Sequence, residues 1–274
     1  MNKNLKYFLL GIMLVLFYSC EKELLESNTV NDRPVVEAYL VPGKNTTVSI
    51  TRLVTYADDT SDTGDPITGL DVYLKRDGES YLLDYDSGIY RDTEDAIGIM
   101  EKDTIDLAFV FGDDTLRSRT FVPEKPEGFT ISDSYISRER IEAGEMPFGM
   151  GDMETIEMSW ENPDNDFYLV VIRYMEEEQD FINGNMEEMD IEFSNTTSSE
   201  PVQGDRYDLR PMEINFFGHY EVILYHVNQE YADLYESVSQ NSNDLTNPLS
   251  NIENGWGIFT GVNADTLYFQ VGER

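Results

Sequence analysis

The sequence predicts an all-β chain folded as two sandwiches, with one short helix near the C-terminus. Three observations carry that expectation. Apolar and polar residues alternate in runs of four to eight, as half-buried strands require. Gly, Pro, Asn and Asp punctuate these runs at short intervals. The 17 Tyr and 14 Phe suit a pleated surface better than disorder. A length of 274 residues accommodates one large or two small domains.

In chain order, residues 34–41 read as a first strand, and Gly43-Lys44-Asn45 turns the chain into 47–56, where Val48, Ile50, Leu53 and Val54 are the apolar positions. An Asp, Thr and Gly-rich loop spans 57–65. Leu70, Val72 and Leu74 share one face of the next strand, and Asp77-Gly78 is a strong hairpin signal into 81–85. A short strand at 88–91 follows, and then a second hairpin, 104–111 and 115–122, closes about Gly112-Asp113-Asp114. These strands make a first sandwich over 33–123. Residues 124–128 read as a linker, because the prolines at 123 and 126 and Gly128 do not suit a central strand.

The second sandwich is expected over 129–274. Strands at 129–137 and 155–160 lead through Asn162-Pro163-Asp164 into 167–175. Trp160 on one strand, that Pro-Asp turn and a Tyr-rich return strand resemble a fibronectin type III module; an ordinary sandwich core Trp fits the same residues. Residues 176–192 hold eight acids and no base and read as a mobile, solvated flap. The sheet resumes with runs at 212–217 and 218–228. Tyr231, Leu234, Tyr235 and Val238 then form the stripe of a helix over 229–241, residues 247–261 are rich in turn residues, and 266–271 is a closing strand.

Charge narrows the function. With 54 Asp and Glu against 19 Lys and Arg the formal net charge is −35, which repels phosphate backbones and excludes nucleic acid as a partner. The acids are unevenly placed, since 129–200 holds 19 of them against three bases.

The N-terminus reads as an export signal. Lys3 and Lys6 precede an apolar run over 8–18 that is too short to span a bilayer, and the sole cysteine, Cys20, follows Leu16-Phe17-Tyr18-Ser19. That run resembles a bacterial lipobox with bulky residues where Ala or Gly is commoner. It makes 1–19 a signal peptide, Cys20 the lipidated residue and 20–32 a polar tether. A conventional signal peptide with cleavage elsewhere is the alternative reading. Glu21-Lys22-Glu23 resembles the acidic signal that sends lipoproteins of the Bacteroidota to the outer face of the outer membrane; a periplasm-facing lipoprotein is the other address.

Several short motifs, taken in order, extend the resemblance to the whole mature chain. They are the Cys20-Glu21-Lys22-Glu23 start, the first strand Pro34-Val35-Val36-Glu37-Ala38-Tyr39-Leu40, Pro66-Ile67-Thr68-Gly69 before Val72-Tyr73-Leu74, Gly88-Ile89-Tyr90, the exit Val122-Pro123, and the run from Asn247 to Phe259 after a Tyr-rich helix. In these the chain resembles lipoproteins of the domain-of-unknown-function family 4249. The resemblance implies an immunoglobulin-like first domain, a fibronectin-like second one, an outer-membrane or surface location and an accessory role beside a TonB-dependent receptor barrel. It supplies no catalytic residues.

The remaining chemistry favours binding over catalysis. No Gly-x-Ser-x-Gly elbow is present, and the carboxylates are too numerous to single out a glycosidase pair, so an envelope hydrolase is a remote alternative. His219 and His226 fall on opposite faces of one strand and cannot share a metal. Calcium has hard oxygen ligands in Asp58, Asp59, Asp62 and Asp65 around Gly64, without EF-hand spacing, so solvated acidic loops are the plainer reading. The candidate ligand platform is Trp256 with Phe259, Tyr231 and Tyr235, because glycines flanking an indole let it stack on a glycan or peptide ligand; packing against the helix is the competing reading. The expected function is a non-catalytic binding or accessory lipoprotein, with a structural or adhesion-type envelope protein as the alternative.

Overall fold

The computed structural model describes residues 33–53, 64–145, 155–187, 193–240 and 249–274. The signal peptide, Cys20, the tether, and Asp58, Asp59 and Asp62 lie outside the described residues. The fold is all-β, as the alternation predicts.

The first sandwich is built from β1 (Pro34–Leu40), β2 (Thr47–Arg52), β3 (Tyr73–Arg76), β4 (Glu79–Leu82), β5 (Asp84–Asp86), β6 (Ile89–Arg91), β7 (Thr104–Phe111) and β8 (Asp114–Phe121). One sheet has the order β4-β3-β7-β8, and the facing layer contains β1-β2-β6-β5. Asp77 and Gly78 have φ of 51° and 90°, both positive as a type I′ hairpin turn demands, and they join β3 to β4. The strand expected over 81–85 is divided. Leu83 is buried and its N–H bonds Val72 O at 2.9 Å, so the chain changes sheet there, from β4 beside β3 to β5 beside β6.

The second sandwich comprises β9 (Thr130–Ile131), β10 (Tyr135–Arg138), β11 (Ile156–Ser159), β12 (Phe167–Tyr174), β13 (Asp180–Phe181), β14 (Thr196–Ser198), β15 (Arg206–Leu209), β16 (Phe216–Val227) and β17 (Trp256–Glu273). A small sheet β15-β11-β9 packs against β14-β12-β16-β17, to which β10 adds in parallel on β17. Trp160, Tyr168 and Phe269 sit in this core with Met158 and Val222. A helix spans Gln229–Gln240, close to its expected limits.

The principal departure lies at the C-terminus. The turn-rich segment expected up to residue 261 begins an 18-residue strand, β17, at Trp256. At about 3.3 Å per residue it runs roughly 55–60 Å. Its first six residues pair in parallel with β1, Val35 opposite Trp256 through Leu40 opposite Gly261, and residues 262–271 pair antiparallel with β16. Ile252 and Phe259 therefore belong to the first core, with Val36, Leu107 and Leu116, although sequence order placed them in the second domain. Local pattern could not reveal this, because a parallel partner more than two hundred residues away leaves no trace in nearby spacing. The glycines that looked like turn signals answer to close packing. Gly257 has φ +101°, and a Cβ there would stand 1.9 Å from Val36 O.

The described part of the acidic stretch, 176–187, is also more ordered than expected. Among its described residues, Asp180 and Phe181 pair with Phe217 and Phe216 of β16, and the Phe181 ring meets Phe216 at 5.0 Å and Phe193 at 5.6 Å. Apolar burial of Phe181 and Ile182 against the second core outweighs the charge of their neighbours.

Candidate binding surfaces

The structure separates the four aromatic residues proposed as one platform. Phe259 is fully buried in the first core and cannot meet a ligand. Trp256 is half-buried at the start of β17, with the Arg33 guanidinium 6.0 Å from its ring centre. Tyr231 packs from the helix onto Leu169, Val227 and Val262, and its ring meets Tyr39 edge-on at 6.3 Å. Tyr235 is half-buried one turn further along that helix. The helical stripe is thus a junction seal between the sandwiches.

Polar groups tighten the same junction. Glu230 Oε1 accepts from the Thr120 hydroxyl at 2.7 Å and the Thr260 hydroxyl at 3.1 Å, while Asn228 Nδ2 donates to Phe121 O at 2.7 Å and Gly261 O at 3.1 Å. Asn263 Nδ2 reaches Pro123 O at 3.1 Å, and Lys125 pairs with Asp265 at 2.8 Å. Thr120, Thr260 and Asn263 are buried, so the bonds they make form largely away from water, where an unmade partner is costly. A shared strand and a polar seam join the two sandwiches into one body.

The histidines occupy opposite faces of β16, as alternation predicts. His219 Nδ1 lies 2.6 Å from Glu176 Oε1, and the contact holds that carboxylate below its ordinary value. His226 stacks on Tyr168 at 4.7 Å, with Nδ1 2.9 Å from Glu124 O and Nε2 3.2 Å from Asp166. Of the calcium candidates only Asp65 is described; it is exposed, and its carbonyl accepts the Arg52 N–H at 3.0 Å. Among the described residues no group of three or more His, Cys, Asp or Glu is placed to hold a metal ion, and no helix is long and apolar enough to cross a membrane.

Two surfaces stand out that spacing did not single out. The first is the outer face of the second-domain sheet. Val170, Val222 and Phe269 point into the core, which leaves Val171, Arg173, Glu221, Ile223, Tyr225 and Tyr268 on the other side. Tyr268 is 61% exposed, and Tyr135 on the neighbouring edge strand is 55% exposed. At the centre of this face the charges of Arg173 and Glu221 cancel, and Glu176 meets His219 at its edge. Arg173 Nε donates 2.9 Å to Glu221, whose other oxygen accepts the Tyr268 hydroxyl at 3.2 Å. That hydrogen bond raises the Tyr268 hydroxyl above its ordinary 10.0, so the ring stays neutral. A tyrosine-bearing face with its central charges paired is unusual in a domain whose residues 129–200 carry 19 acids against three bases.

The second is a cleft of about 300 Å³ on the outer face of β3-β7-β8. Ala108 lies between Tyr73 and Arg117 in one cross-strand row, and Asp106 lies between Lys75 and Arg119 in the next. The hollow exists because alanine's methyl group stands between two long side chains. Asp106 is neutralised by Arg119, whose Nε and Nη2 donate at 2.5 and 3.1 Å.

An all-β chain of two sandwiches joined by a shared strand is the class that this architecture defines. The chain belongs to the family described as Domain of unknown function (DUF4249), which it matches over residues 22–267. No curated protein matches it. Among solved structures, the chicken CNTN1 FN1-FN3 domains are similar at 12% identity with a TM-score of 0.27, over 73% of this chain and 63% of that one. A Salmonella alpha-2-macroglobulin mutant is similar at 11% identity with a TM-score of 0.23, over 88% of this chain and 15% of that one.

Proposed function

We propose that this protein is an outer-membrane lipoprotein, anchored through Cys20 and facing the cell exterior, that serves as a non-catalytic binding or accessory subunit of a TonB-dependent receptor uptake system. The lipobox-like run before Cys20 and the acidic residues after it support the location. The observation that carries the binding role is the sheet face bearing the exposed Tyr135 and Tyr268, whose central charges cancel. An exposed aromatic face with its central charges paired, on a body of charge −35, suits contact with a partner rather than solvation. Because the two sandwiches share β17, a contact on either one bears on the whole body and on the tether beyond Arg33.

Affinity purification of the full chain from detergent-solubilised membranes tests this reading. A receptor barrel is expected to co-purify, and recovery is expected to fall when Tyr135 and Tyr268 are both replaced by Ala. Purification with no barrel partner would count against the accessory role.

A further inference from the structure

We propose that the cleft between Tyr73, Lys75, Ala108 and Arg117 is a binding site for an oligosaccharide that carries a carboxylate, such as a uronic acid unit. The proposal rests on the binding role above and names a ligand class for it.

Charge is the first argument. The first domain, 33–123, has nine Lys and Arg against 18 acids, yet three of those cations, Lys75, Arg117 and Arg119, line this one cleft with a single acid, Asp106. Arg119 is committed to Asp106. Lys75 and Arg117 have no ion-pair partner among the described residues. Glu253 sits across a backbone bridge on the far side of Arg117, outside the hollow, with no ion pair to it. The total charge of −35 does not close the site to an anion, because at physiological ionic strength fields are screened over about 8 Å and the nearest charges decide.

Shape and donor chemistry point to a sugar. The volume of about 300 Å³ stands at the small end of ligand sites, which run about 300–1,000 Å³, and gives room for one or two rings. Tyr73 is 40% exposed and walls the hollow with an aromatic ring, a surface on which the C–H face of a pyranose stacks. Arg117 and Lys75 are matched to a carboxylate, Arg117 through two parallel N–H donors. Asp106 can only accept, so it suits a ring hydroxyl. A uronic acid brings one carboxylate and several hydroxyl donors on a single ring. A polyacidic peptide brings several carboxylates and no hydroxyls, and Asp106 would repel the carboxylates.

Titration calorimetry on the full chain in neutral detergent tests the assignment with three probes: a galacturonic acid trimer, the same trimer with its carboxyls reduced to alcohols, and hexaglutamate. The acidic trimer is expected to bind, to weaken at least tenfold on Arg117→Ala and several-fold as salt rises, and to lose binding on Ala108→Leu, which fills the hollow without changing charge. Melting curves establish that the variants are folded. Equal binding of the neutral trimer, equal or tighter binding of hexaglutamate, unchanged affinity in a folded Ala108→Leu variant, or no binding at millimolar sugar would each overturn the proposal. Receptor co-purification is read separately, so a barrel recovered without sugar binding removes this cleft and leaves the accessory role.

Discussion

The Thr120 hydroxyl donates to Glu230 Oε1 at 2.7 Å, joining the last strand of the first sandwich to the helix of the second across 110 positions of sequence. The same Thr120 oxygen accepts the Gly261 N–H at 2.9 Å, so one side chain ties three segments. Replacing Glu230 with Ala strips an acceptor from Thr120, Thr260 and Asn228 and is expected to cost about 2 kcal/mol, the scale for leaving buried donors unpaired. Urea denaturation measures it. Wild type is expected to unfold in one transition seen by both tryptophans, Trp160 in the second core and Trp256 beside β1; two separated transitions would contradict a single body.

Gly257 and Gly43 offer a controlled comparison. Both have positive φ, +101° and +68°, but a Cβ on Gly43 meets nothing within 4 Å whereas on Gly257 it meets Val36 O. Gly43→Ala is expected to cost about 1 kcal/mol from backbone strain alone. Gly257→Ala should exceed about 4 kcal/mol, because β1 and β17 must part. Comparable losses in chemical denaturation would mean that Gly257 serves only as a turn.

Phe181→Ala examines whether the acidic stretch is part of the fold. Removing a ring that packs on Phe216 and Phe193 is expected to cost about 2 kcal/mol, below the range for a fully buried Phe because Phe181 is half-buried. A mobile flap would give no change in melting temperature.

Arg140 gathers the end of β17 onto that stretch, donating to Asp180 at 2.7 Å and Glu273 at 2.9 Å with its guanidinium 4.6 Å from the Phe217 ring centre. The hydrogen bond from Arg140 holds the Glu273 carboxyl below its ordinary 4.5. A carboxyl depressed by folding contributes stability above its ordinary value and loses that contribution as pH falls through the folded one. The difference in melting temperature between wild type and Glu273→Gln is therefore expected to be constant near neutrality, to shrink below pH 4.5 and to vanish in stronger acid. A difference that persists in strong acid would assign the effect to packing.

Cys20→Ala addresses the anchor. Loss of the thiol is expected to move the protein from the membrane pellet to the soluble fraction, whereas unchanged pelleting after a high-salt wash would sink the lipoprotein reading.

Much of this fold could be read from the chain because its signals are local. The Asp77-Gly78 turn, the alternation of β7 and β8, the proline break after Val122 and the helical stripe of Tyr231 and Leu234 each depend on residues a few positions apart. What escaped depends on distance. Trp256 to Gly261 looks like loop because its strand partner is β1, and Phe259 looks like a platform residue because nothing beside it tells of Leu107 and Leu116. The cleft escaped for a similar reason: Tyr73, Ala108 and Arg117 become neighbours only through the register of three strands.

The placement of β17 also governs the order in which the molecule can be made. Residues 33–123 emerge before the C-terminal part during synthesis, yet their sheet lacks Phe259 and the partner of β1 until the chain has been made almost to its end. The early sandwich must wait as an open sheet with an unpaired edge, and such edges invite association with other chains. Completion of the first sandwich is thereby deferred until synthesis is nearly finished, which makes release of the last segment the event that closes both halves together.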